Sequence, residues 1–501
     1  MQVCVLEHPR IRSEKRFNDI ANTPLWSCLM GGYAASSLKD AGHEVVYLDA
    51  AGPDWDFEKT KELILRLSPG LLTINTVYIW EHTQTVFDFF SQLKNEGFSG
   101  HLNLFGFFPT LAYKDILEKT FVCNSIAVGE CEHTLAALAN ALQDRTSLLD
   151  IKGLAVRKPG GGIFFRASLP EKVPDRFPFP IRHHHPSDTV SILASRGCYN
   201  HCRFCPIPSF YNQGPLWRGR TPENILDEIK MLTDEGCSDF YFADPNFIGP
   251  GRKGKKRVIK LMDLIRPLKI TFGLETRPED LDEEILEKMV DAGFTSLLLG
   301  VESGSPAVLG KLEKKTPLSA SENAIRLLRQ FDIEPAIGFL MFVPDSRRED
   351  LRQNYEFLIR NNLLDSLERT VNLLSHRQIV LKGTSGYLRF QRQGRLTPTG
   401  FLGTEGAVSY LDDSVYAISE LIIHACHLVL KKMEKDDSPI YWKKGPDSVT
   451  HRLLNDYLAD LFKSLIEDVR SAECVASISD IKMEIEDKIT ALMTPIALKA
   501  S

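Results

Sequence analysis

The sequence has little excess charge of either sign and no long apolar run. Its 60 lysines and arginines stand against 66 aspartates and glutamates, which leaves a formal net charge of −6. A general nucleic-acid-binding protein is expected to carry a basic surface, so this balance argues against that class. No run of about 18 apolar residues occurs, and no membrane-spanning helix is predicted. The opening residues lack the features of a signal peptide and are interpreted as a first strand.

The ten cysteines are not distributed like a disulfide framework. Three of them, Cys198, Cys202 and Cys205, fall within eight positions. Without an export signal the protein is predicted to be cytoplasmic, where clustered cysteines more often bind metal or take part in catalysis. Six of the other cysteines are interpreted as small buried hydrophobic residues: Cys4, Cys28, Cys123, Cys237, Cys426 and Cys474.

The first part of the chain, residues 1–148, alternates short apolar segments with amphipathic ones. Strands are predicted at 3–7, 44–48, 70–76, 101–106 and 124–129, with helices between them. This alternation is typical of an α/β domain with a doubly wound, Rossmann-like parallel sheet. Residues 149–187 then carry a hairpin signal around a Pro-Gly-Gly-Gly turn, followed by a proline-rich linker.

The alternation resumes at residue 188 and continues to 375. Strands are predicted at 190–195, 239–244, 269–275, 296–302, 334–342 and 366–374. Six βα units predict a partial (βα)6 barrel, whose active site is expected at the carboxyl ends of its strands. Residues 376–501 are predicted to form a helical C-terminal region, with helices near 411–435, 448–470 and 478–495.

The cysteine cluster lies in the segment SRGCYNHCRFCPIP, residues 195–208, directly after the first predicted barrel strand. A [4Fe–4S] cluster that only carries electrons takes four thiolate ligands, so three leave one iron open. An open metal position lets a metal bind a substrate. The spacing therefore predicts a catalytic iron–sulfur cluster. A structural zinc site is the alternative, although no second cysteine pair follows nearby.

The motif CYNHCRFC resembles the CxxxCxxC signature of the radical S-adenosylmethionine (SAM) superfamily, including the aromatic Phe204 before the third cysteine. The resemblance implies that Cys198, Cys202 and Cys205 hold a [4Fe–4S] cluster that reductively cleaves SAM to a 5′-deoxyadenosyl radical. Similar segments follow at 243–247, 273–281, 297–306 and 338–345, although the usual Gly-Gly-Glu is absent from the first of these. The cofactor-binding residues implied here are Phe204, Asp244, Asn246, Glu275, Arg277, Gly300, Glu302 and Ser303.

The N-terminal domain is similar to that of the cobalamin-binding radical SAM subfamily. FGFFPT (105–110), AVGECEHT (127–134) and WRGRTPENILDEI (217–229) carry this second resemblance. It implies a corrin at the strand ends. The contacts implied for it are Thr73, Asn75, Thr76, Gly106, Pro109, Thr110, Gly129 and Glu130. No DxHxxG motif occurs, so no lower axial histidine is predicted, and a vestigial domain without cofactor is the alternative.

The two resemblances imply an enzyme that performs cobalamin-dependent C-methylation of a small molecule. The alternative is a radical-initiated rearrangement, dehydration or cyclisation without methyl transfer. A methylthiotransferase and a non-enzymatic iron–sulfur or zinc protein fit the sequence less well. The expected partners are a small-molecule substrate and an electron donor such as flavodoxin or ferredoxin, with neither nucleic acid nor membrane.

Overall fold

A computed structural model describes residues 1–11, 25–52, 54–77, 80–183, 188–211, 216–435, 438, 440–441, 449–468 and 478–493. The side chains of Cys28 and Cys474 lie outside the described residues. The chain forms two compact units. The first unit comprises residues 1–276, 280–297 and 380–407, and the second comprises 277–279, 298–379 and 408–501.

The first unit opens with a seven-stranded sheet of order β2-β1-β3-β4-β5-β6-β7. Its strands are β1 Gln2–Glu7, β2 Glu44–Asp49, β3 Leu71–Asn75, β4 His101–Phe105, β5 Ser125–Ala127, β6 Leu154–Arg157 and β7 Ile163–Phe165. The helices are α1 Leu25–Asp40, α2 Phe57–Leu67, α3 Thr83–Asn95, α4 Phe107–Lys119 and α5 Glu132–Asp144. The first five strands are parallel, in the 2-1-3-4-5 order of a doubly wound domain, which confirms the predicted fold class.

The apolar runs form strands because both faces of this sheet are covered. Val3, Val5 and Leu71 are fully buried, and they belong to one core with Leu38 of α1 and Leu135 of α5. Strands buried on both sides need continuous rather than alternating hydrophobicity, which is the pattern that the sequence shows.

The predicted hairpin is confirmed as the antiparallel pair β6 and β7. Its turn contains Gly160, Gly161 and Gly162, whose φ angles are +89°, +104° and +80°. Positive φ angles at three consecutive positions favour glycine, because a residue with a side chain would be strained there.

The first unit continues with the elements that carry the cysteine motif. They are β8 Val190–Ile192, β9 Ser195–Cys198, α6 Ile207–Phe210, β10 Leu216–Gly219, α7 Pro222–Asp234, β11 Asp239–Phe242, α8 Gly251–Ile265, β12 Thr271–Thr276 and α9 Glu283–Asp291. Strands β8, β11 and β12 pair in parallel, whereas β9 and β10 form a separate antiparallel ribbon. The predicted strand at 190–195 therefore ends early, and its last residue opens the ribbon.

Strand β13, Phe294–Glu302, begins in the first unit and ends in the second. The second unit adds α10 Pro306–Lys311, α11 Leu318–Gln330, β14 Ala336–Phe339, α12 Arg348–Arg360 and α13 Leu367–Ser375. The strand predicted at 366–374 is wrong, since these residues form α13. Leu367, Val371 and Leu374 are buried at helical spacing, and this period, not alternation, decides the element.

The first unit is completed by α14 Ser385–Arg392, β15 Leu396–Thr399 and β16 Glu405–Val408. The predicted helical C-terminal region is present in the second unit as α15 Asp413–Met433, α16 Val449–Asp468 and α17 Ile478–Met493. Among the described helices, α15 alone is long and apolar enough to cross a membrane. Most of it is buried against α13, α16 and α17, as expected for the core helix of a soluble domain.

Candidate functional site

The cysteine loop begins where β9 ends. Cys198 is the last residue of the strand, and Cys198 and Cys205 are half-buried while Cys202 is buried. The backbone N–H of Asn200 donates to Cys198 Sγ, and its side-chain amide donates to Cys202 Sγ, both at 3.5 Å. Such donors stabilise a thiolate and help set the potential of a bound cluster.

The donor set of this loop fits an iron–sulfur cluster better than a single ion. Among the residues that the structure describes, no three His, Cys, Asp or Glu side chains are grouped as ligands of one metal ion. Three thiolates that bind three different irons of a cube need not converge on one point, whereas those of a zinc site must. Phe204 lies half-buried in the same loop, and its cofactor contact stays a prediction.

A hydrogen-bonded tether joins the cysteine loop to the ends of β11 and β12. The Tyr199 hydroxyl donates to both oxygens of Asp280, at 2.8 and 2.9 Å, and the Asn246 amide donates to Asp280 Oδ2 at 2.8 Å. Asn246 Oδ1 also accepts the Gly249 N–H at 2.7 Å, so this side chain supports the loop. Asp280 is absent from the sequence prediction, because one acidic residue in PEDL gives no signal of its own.

Two predicted carboxylates, Asp244 and Glu275, lie at the ends of β11 and β12. Asp244 is fully buried; its Oδ2 accepts the Ala194 N–H at 3.1 Å, but its buried Oδ1 has no partner. Burial raises the pKa of Asp244 to about 6, against the lowering effects of hydrogen bonds from Ser195 and of the Arg257 guanidinium. Burial also raises the pKa of Glu275 to about 7, against the lowering effect of the Tyr241 hydroxyl. An orphaned buried carboxylate oxygen is the kind of group that a ligand cation satisfies.

In the second unit, two glycines leave a bare strip of backbone. Gly300 on β13 pairs with Gly338 on β14. Neither presents a Cβ, and a glycine inside a strand often marks a place where a ligand approaches the backbone closely.

Glu302 ends β13 with an unusual backbone. Its φ is +70°, and the pairing register shifts between Gly300 and Glu302. Its carboxylate accepts a hydrogen bond from Lys314 Nζ at 2.9 Å. A non-glycine residue with a positive φ of this size lowers the stability of the fold by about 1–3 kcal/mol, and such residues are enriched at functional sites.

The other two predicted residues of the second unit are used in local networks. The Ser303 hydroxyl donates to Asn354 Oδ1 at 2.7 Å. Arg277 donates to Glu279 at 2.6 Å and to Thr316 at 2.7 Å. These contacts hold the turns that follow the strands, and the proposed cofactor roles of both residues stay predictions.

The doubly wound sheet has its switch point between β1 and β3, where the strand order reverses. The Asn75 amide at the end of β3 donates to both oxygens of Glu7 at the end of β1, at 2.8 and 3.1 Å. Glu7 is fully buried, and burial raises its pKa to about 8 against the lowering effect of Arg10. Sequence reasoning missed Glu7, although a charged residue ending an apolar strand is a usable signal.

The remaining predicted residues of this domain, Thr73, Thr76, Pro109 and Thr110, are all buried. The Thr73 hydroxyl donates to Asn103 Oδ1 at 3.0 Å. Thr73 therefore belongs to a hydrogen-bonded pair buried inside the sheet and not to the carboxyl edge of the sheet. Thr76 is also fully buried. Pro109 and Thr110 lie in the first turn of α4, and Thr110 Oγ1 accepts the Gly129 N–H at 3.0 Å.

Gly106 permits the close approach of two loops at this edge. Its φ is +108°, and a Cβ there would collide with Asn75 Oδ1 and lie 3.2 Å from the Thr76 carbonyl oxygen. We therefore expect Gly106→Ala to destabilise the chain by about 1–3 kcal/mol. Thermal unfolding of the apoprotein measures this effect. Gly52→Ala is the matched control, because Gly52 has no atom within 4 Å of an added Cβ. Equal unfolding temperatures for both variants would contradict the prediction.

The carboxylate of Glu130, which is predicted to bind a cofactor, forms ion pairs with two arginines. Its carboxylate accepts from Arg218 at 2.8 and 2.9 Å and from Arg196 at 3.2 Å, and it also accepts the Glu171 N–H at 2.9 Å. Burial raises the pKa of Glu130, but the two guanidinium groups outweigh it and keep that pKa below its ordinary value.

Comparisons with known proteins agree with this geometry. Residues 192–358 match the family model of the radical SAM superfamily. These residues therefore form a radical SAM domain, and that family uses a [4Fe–4S] cluster and SAM. An uncharacterized methyltransferase of Pyrococcus horikoshii is 24% identical over 374 residues, which cover 71% of this chain and 77% of the relative. The anaerobic magnesium-protoporphyrin IX monomethyl ester cyclase of Synechocystis is 28% identical over 396 residues, 72% of each chain.

The similarity of the fold extends beyond the matched domain. The solved structure of OxsB, a cobalamin-dependent SAM radical enzyme with aqua-cobalamin and SAM bound, aligns with a TM-score of 0.70 at 18% identity. The alignment covers 100% of this chain and 80% of OxsB. This chain has the fold of a cobalamin-dependent radical SAM enzyme.

Proposed function

We propose that this radical SAM enzyme binds cobalamin and uses it to methylate a carbon atom of a small molecule. The observation that carries the proposal is the packing of the sheet's carboxyl edge against the cysteine loop, within the first unit. Phe107 at the start of α4 stacks on Phe210 of α6, with ring centroids 4.1 Å apart and planes 9° apart. A Cβ on Gly129 would lie 3.1 Å from the Phe210 carbonyl oxygen.

This packing brings two ligand-binding edges together. A doubly wound domain binds its ligand at the carboxyl ends of its strands, near the switch point. The loops at Gly106, Pro109, Thr110 and Gly129 would hold a corrin at that edge, which packs against the cluster loop. A reaction that uses both cofactors would need them close together.

Different side chains of the protein would bind different groups of the cofactors. Cys198, Cys202 and Cys205 would hold the cluster, and Asp244 with Glu275 would accept hydrogen bonds from the ammonium group of SAM. Within the second unit, the backbone at Gly300 and Gly338 would suit a flat ring, and Glu302 and Ser303 would suit polar contacts with a ligand. When bound, these cofactors supply a 5′-deoxyadenosyl radical and a transferable methyl group, while the protein orients them and excludes water.

A lower axial histidine is not part of the proposal. The one histidine at the end of β1, His8, is fully buried. Its Nδ1 lies 2.7 Å from the Pro9 carbonyl oxygen and its Nε2 lies 3.0 Å from Arg10 Nη1. Both ring nitrogens are engaged, so His8 has none to offer a cobalt ion.

A radical-initiated cyclisation or rearrangement is the second candidate. The similarity to the Synechocystis cyclase over 72% of both chains favours it. In either case the substrate is a small molecule, and the electron comes from a donor such as flavodoxin or ferredoxin in the cytoplasm.

One experiment separates these functions without knowledge of the substrate. The full chain is reconstituted anaerobically with iron, sulfide and hydroxocobalamin, desalted, and incubated with dithionite and SAM that carries a deuterated methyl group. Methyl transfer predicts retained corrin, label recovered with the corrin, and S-adenosylhomocysteine alongside 5′-deoxyadenosine. The second candidate predicts 5′-deoxyadenosine alone.

The Cys202→Ser variant is the control for this assay. It should form no 5′-deoxyadenosine, because one cluster ligand is lost, yet it should retain corrin because Cys202 lies outside the doubly wound domain. A wild-type chain that retains no corrin and gives no label transfer overturns the methylation proposal.

A further inference from the structure

Two buried arginines face each other on the ribbon that carries the first cluster cysteine. Arg196 on β9 pairs directly with Arg218 on β10, and Arg196 precedes Cys198 by two positions. Both side chains are at least nine-tenths buried. The ribbon belongs to neither of the larger sheets, so its own pairing does not fix its position.

The carboxylate partners of both arginines come from the N-terminal doubly wound domain, and Arg218 also donates to the Glu171 carbonyl oxygen in the linker. Arg196 contacts Glu132 at 2.6 Å and Glu130 at 3.2 Å, and Arg218 binds both oxygens of Glu130. Glu130 lies in the loop after β5, and Glu132 is the first residue of α5. Two carboxylates therefore balance two guanidinium groups away from water.

Aromatic rings confine the guanidinium groups further. The Arg196 guanidinium lies 4.1 Å from the Phe177 ring centroid and 4.7 Å from that of Tyr33. The Arg218 group lies 4.9 Å from the Tyr211 ring. Cations held between ring faces and carboxylates have one favoured orientation, so they transmit the position of the carboxylates to the ribbon.

We infer that Glu130 and Glu132 are positioning residues for the iron–sulfur cluster. Through Arg196 and Arg218 they fix the β9–β10 ribbon, and with it Cys198, to the N-terminal domain. This inference rests on the cluster assigned under the proposed function. It gives Glu130 a role that the sequence does not predict, because the carboxylate orients the cluster loop instead of touching a cofactor.

The charges give this role a measurable signature. Loss of the Glu132 charge leaves the Arg196 charge less compensated, two positions from a cluster ligand. A positive charge near a cluster favours its more negative, reduced state and raises its reduction potential. The lost charge alone shifts the potential, even for a purely structural ion pair. Only a positioning role should also alter the EPR spectrum of the reduced cluster and its response to SAM.

The test compares the full-length wild type with Glu132→Gln and Glu130→Asp, all reconstituted anaerobically. Iron content, the reduction potential, the EPR spectrum of the reduced cluster with and without SAM, and the unfolding temperature of the apoprotein are measured. We expect Glu132→Gln to shift the potential to a more positive value and to weaken the spectral change that SAM causes. Its rate of 5′-deoxyadenosine formation should fall by about 10- to 100-fold, as for other residues behind metal ligands.

Glu228→Gln is the matched control. Glu228 is fully buried and also binds two arginines, Arg182 and Arg220, neither of which lies on the β9–β10 ribbon. It should lower the unfolding temperature and leave the potential and the spectrum unchanged.

The possible outcomes test the positioning role and the proposed function separately. If the variants keep the wild-type EPR spectrum and its response to SAM and lose only stability, as is expected for Glu228→Gln, the positioning role is overturned. If Glu132→Gln yields no folded protein, Glu130→Asp decides, because it retains the charge but shortens the reach to Arg218. An altered EPR spectrum of the cluster in Glu130→Asp supports the inference, and an unaltered spectrum overturns it. A wild-type chain that assembles no four-iron cluster overturns the proposed function itself.

Discussion

Replacing Cys202 with serine is expected to abolish 5′-deoxyadenosine formation. The Cys202 thiolate is buried, and the Asn200 amide orients it by a hydrogen bond at 3.5 Å. A serine hydroxyl does not replace a thiolate as an iron ligand, so the cluster loses one of three protein ligands. Iron content, the visible spectrum and product formation under dithionite measure the loss. Cys198→Ser and Cys205→Ser should give the same result.

Cys237→Ala is the control for this series. Cys237 is also buried but lies between α7 and β11, away from the loop. It should lose some stability and keep both the cluster and the product. Full activity in any serine variant of the loop would show that the cluster assignment is wrong.

Replacing Asp244 with asparagine is expected to weaken SAM binding by about 10- to 100-fold, the size of a lost charge-assisted hydrogen bond. The buried Oδ1 of Asp244 has no partner in the structure, so it has the most to gain from the SAM ammonium group. Equilibrium dialysis with the reconstituted enzyme measures the dissociation constant. Asp239→Asn is the control, because Asp239 lies at the opposite end of the same strand and accepts from Thr271 at 2.6 Å. Unchanged affinity in Asp244→Asn would remove this residue from the proposed site.

The same carboxylates make SAM binding depend on pH. Burial raises the pKa of Asp244 to about 6 and that of Glu275 to about 7. Below these values the two acids are protonated, and the ammonium group must displace a proton to bind. We therefore expect the affinity for SAM to rise between pH 5.5 and 8, by up to about tenfold per pH unit while one proton is displaced.

The stability of the apoprotein should change in the opposite direction. A carboxyl whose pKa is raised by folding contributes its stability below the ordinary pKa and loses it as pH rises through the raised value. Between about pH 4 and 7 these two groups therefore make the apoprotein less stable as pH rises, and Asp244→Asn should flatten both profiles. A SAM affinity that does not change over this range would contradict the assignment of the two acids.

Much of the fold was predictable because its signals are local. Apolar runs such as 3–7 and 70–76 become β1 and β3, and the helix predicted near 478–495 becomes α17. The strand predicted at 366–374 is wrong. A short segment that contains Val371 and Leu374 fits both the two-residue period of a strand and the 3.6-residue period of a helix. Its packing around the buried Val371 side chain selects a helix.

The sequence by itself determined the class of enzyme and the cluster motif, because three cysteines in CxxxCxxC are neighbours along the chain. It also determined the α/β alternation, since hydrophobic period depends only on nearby residues. Only the tertiary structure decided which polar groups meet. Glu7 with Asn75, Asp280 with Tyr199, and Glu130 with Arg218 are separated by 68, 81 and 88 positions. A single sequence carries no record of such pairs, because burial and charge balance are settled only when the strands and loops pack together.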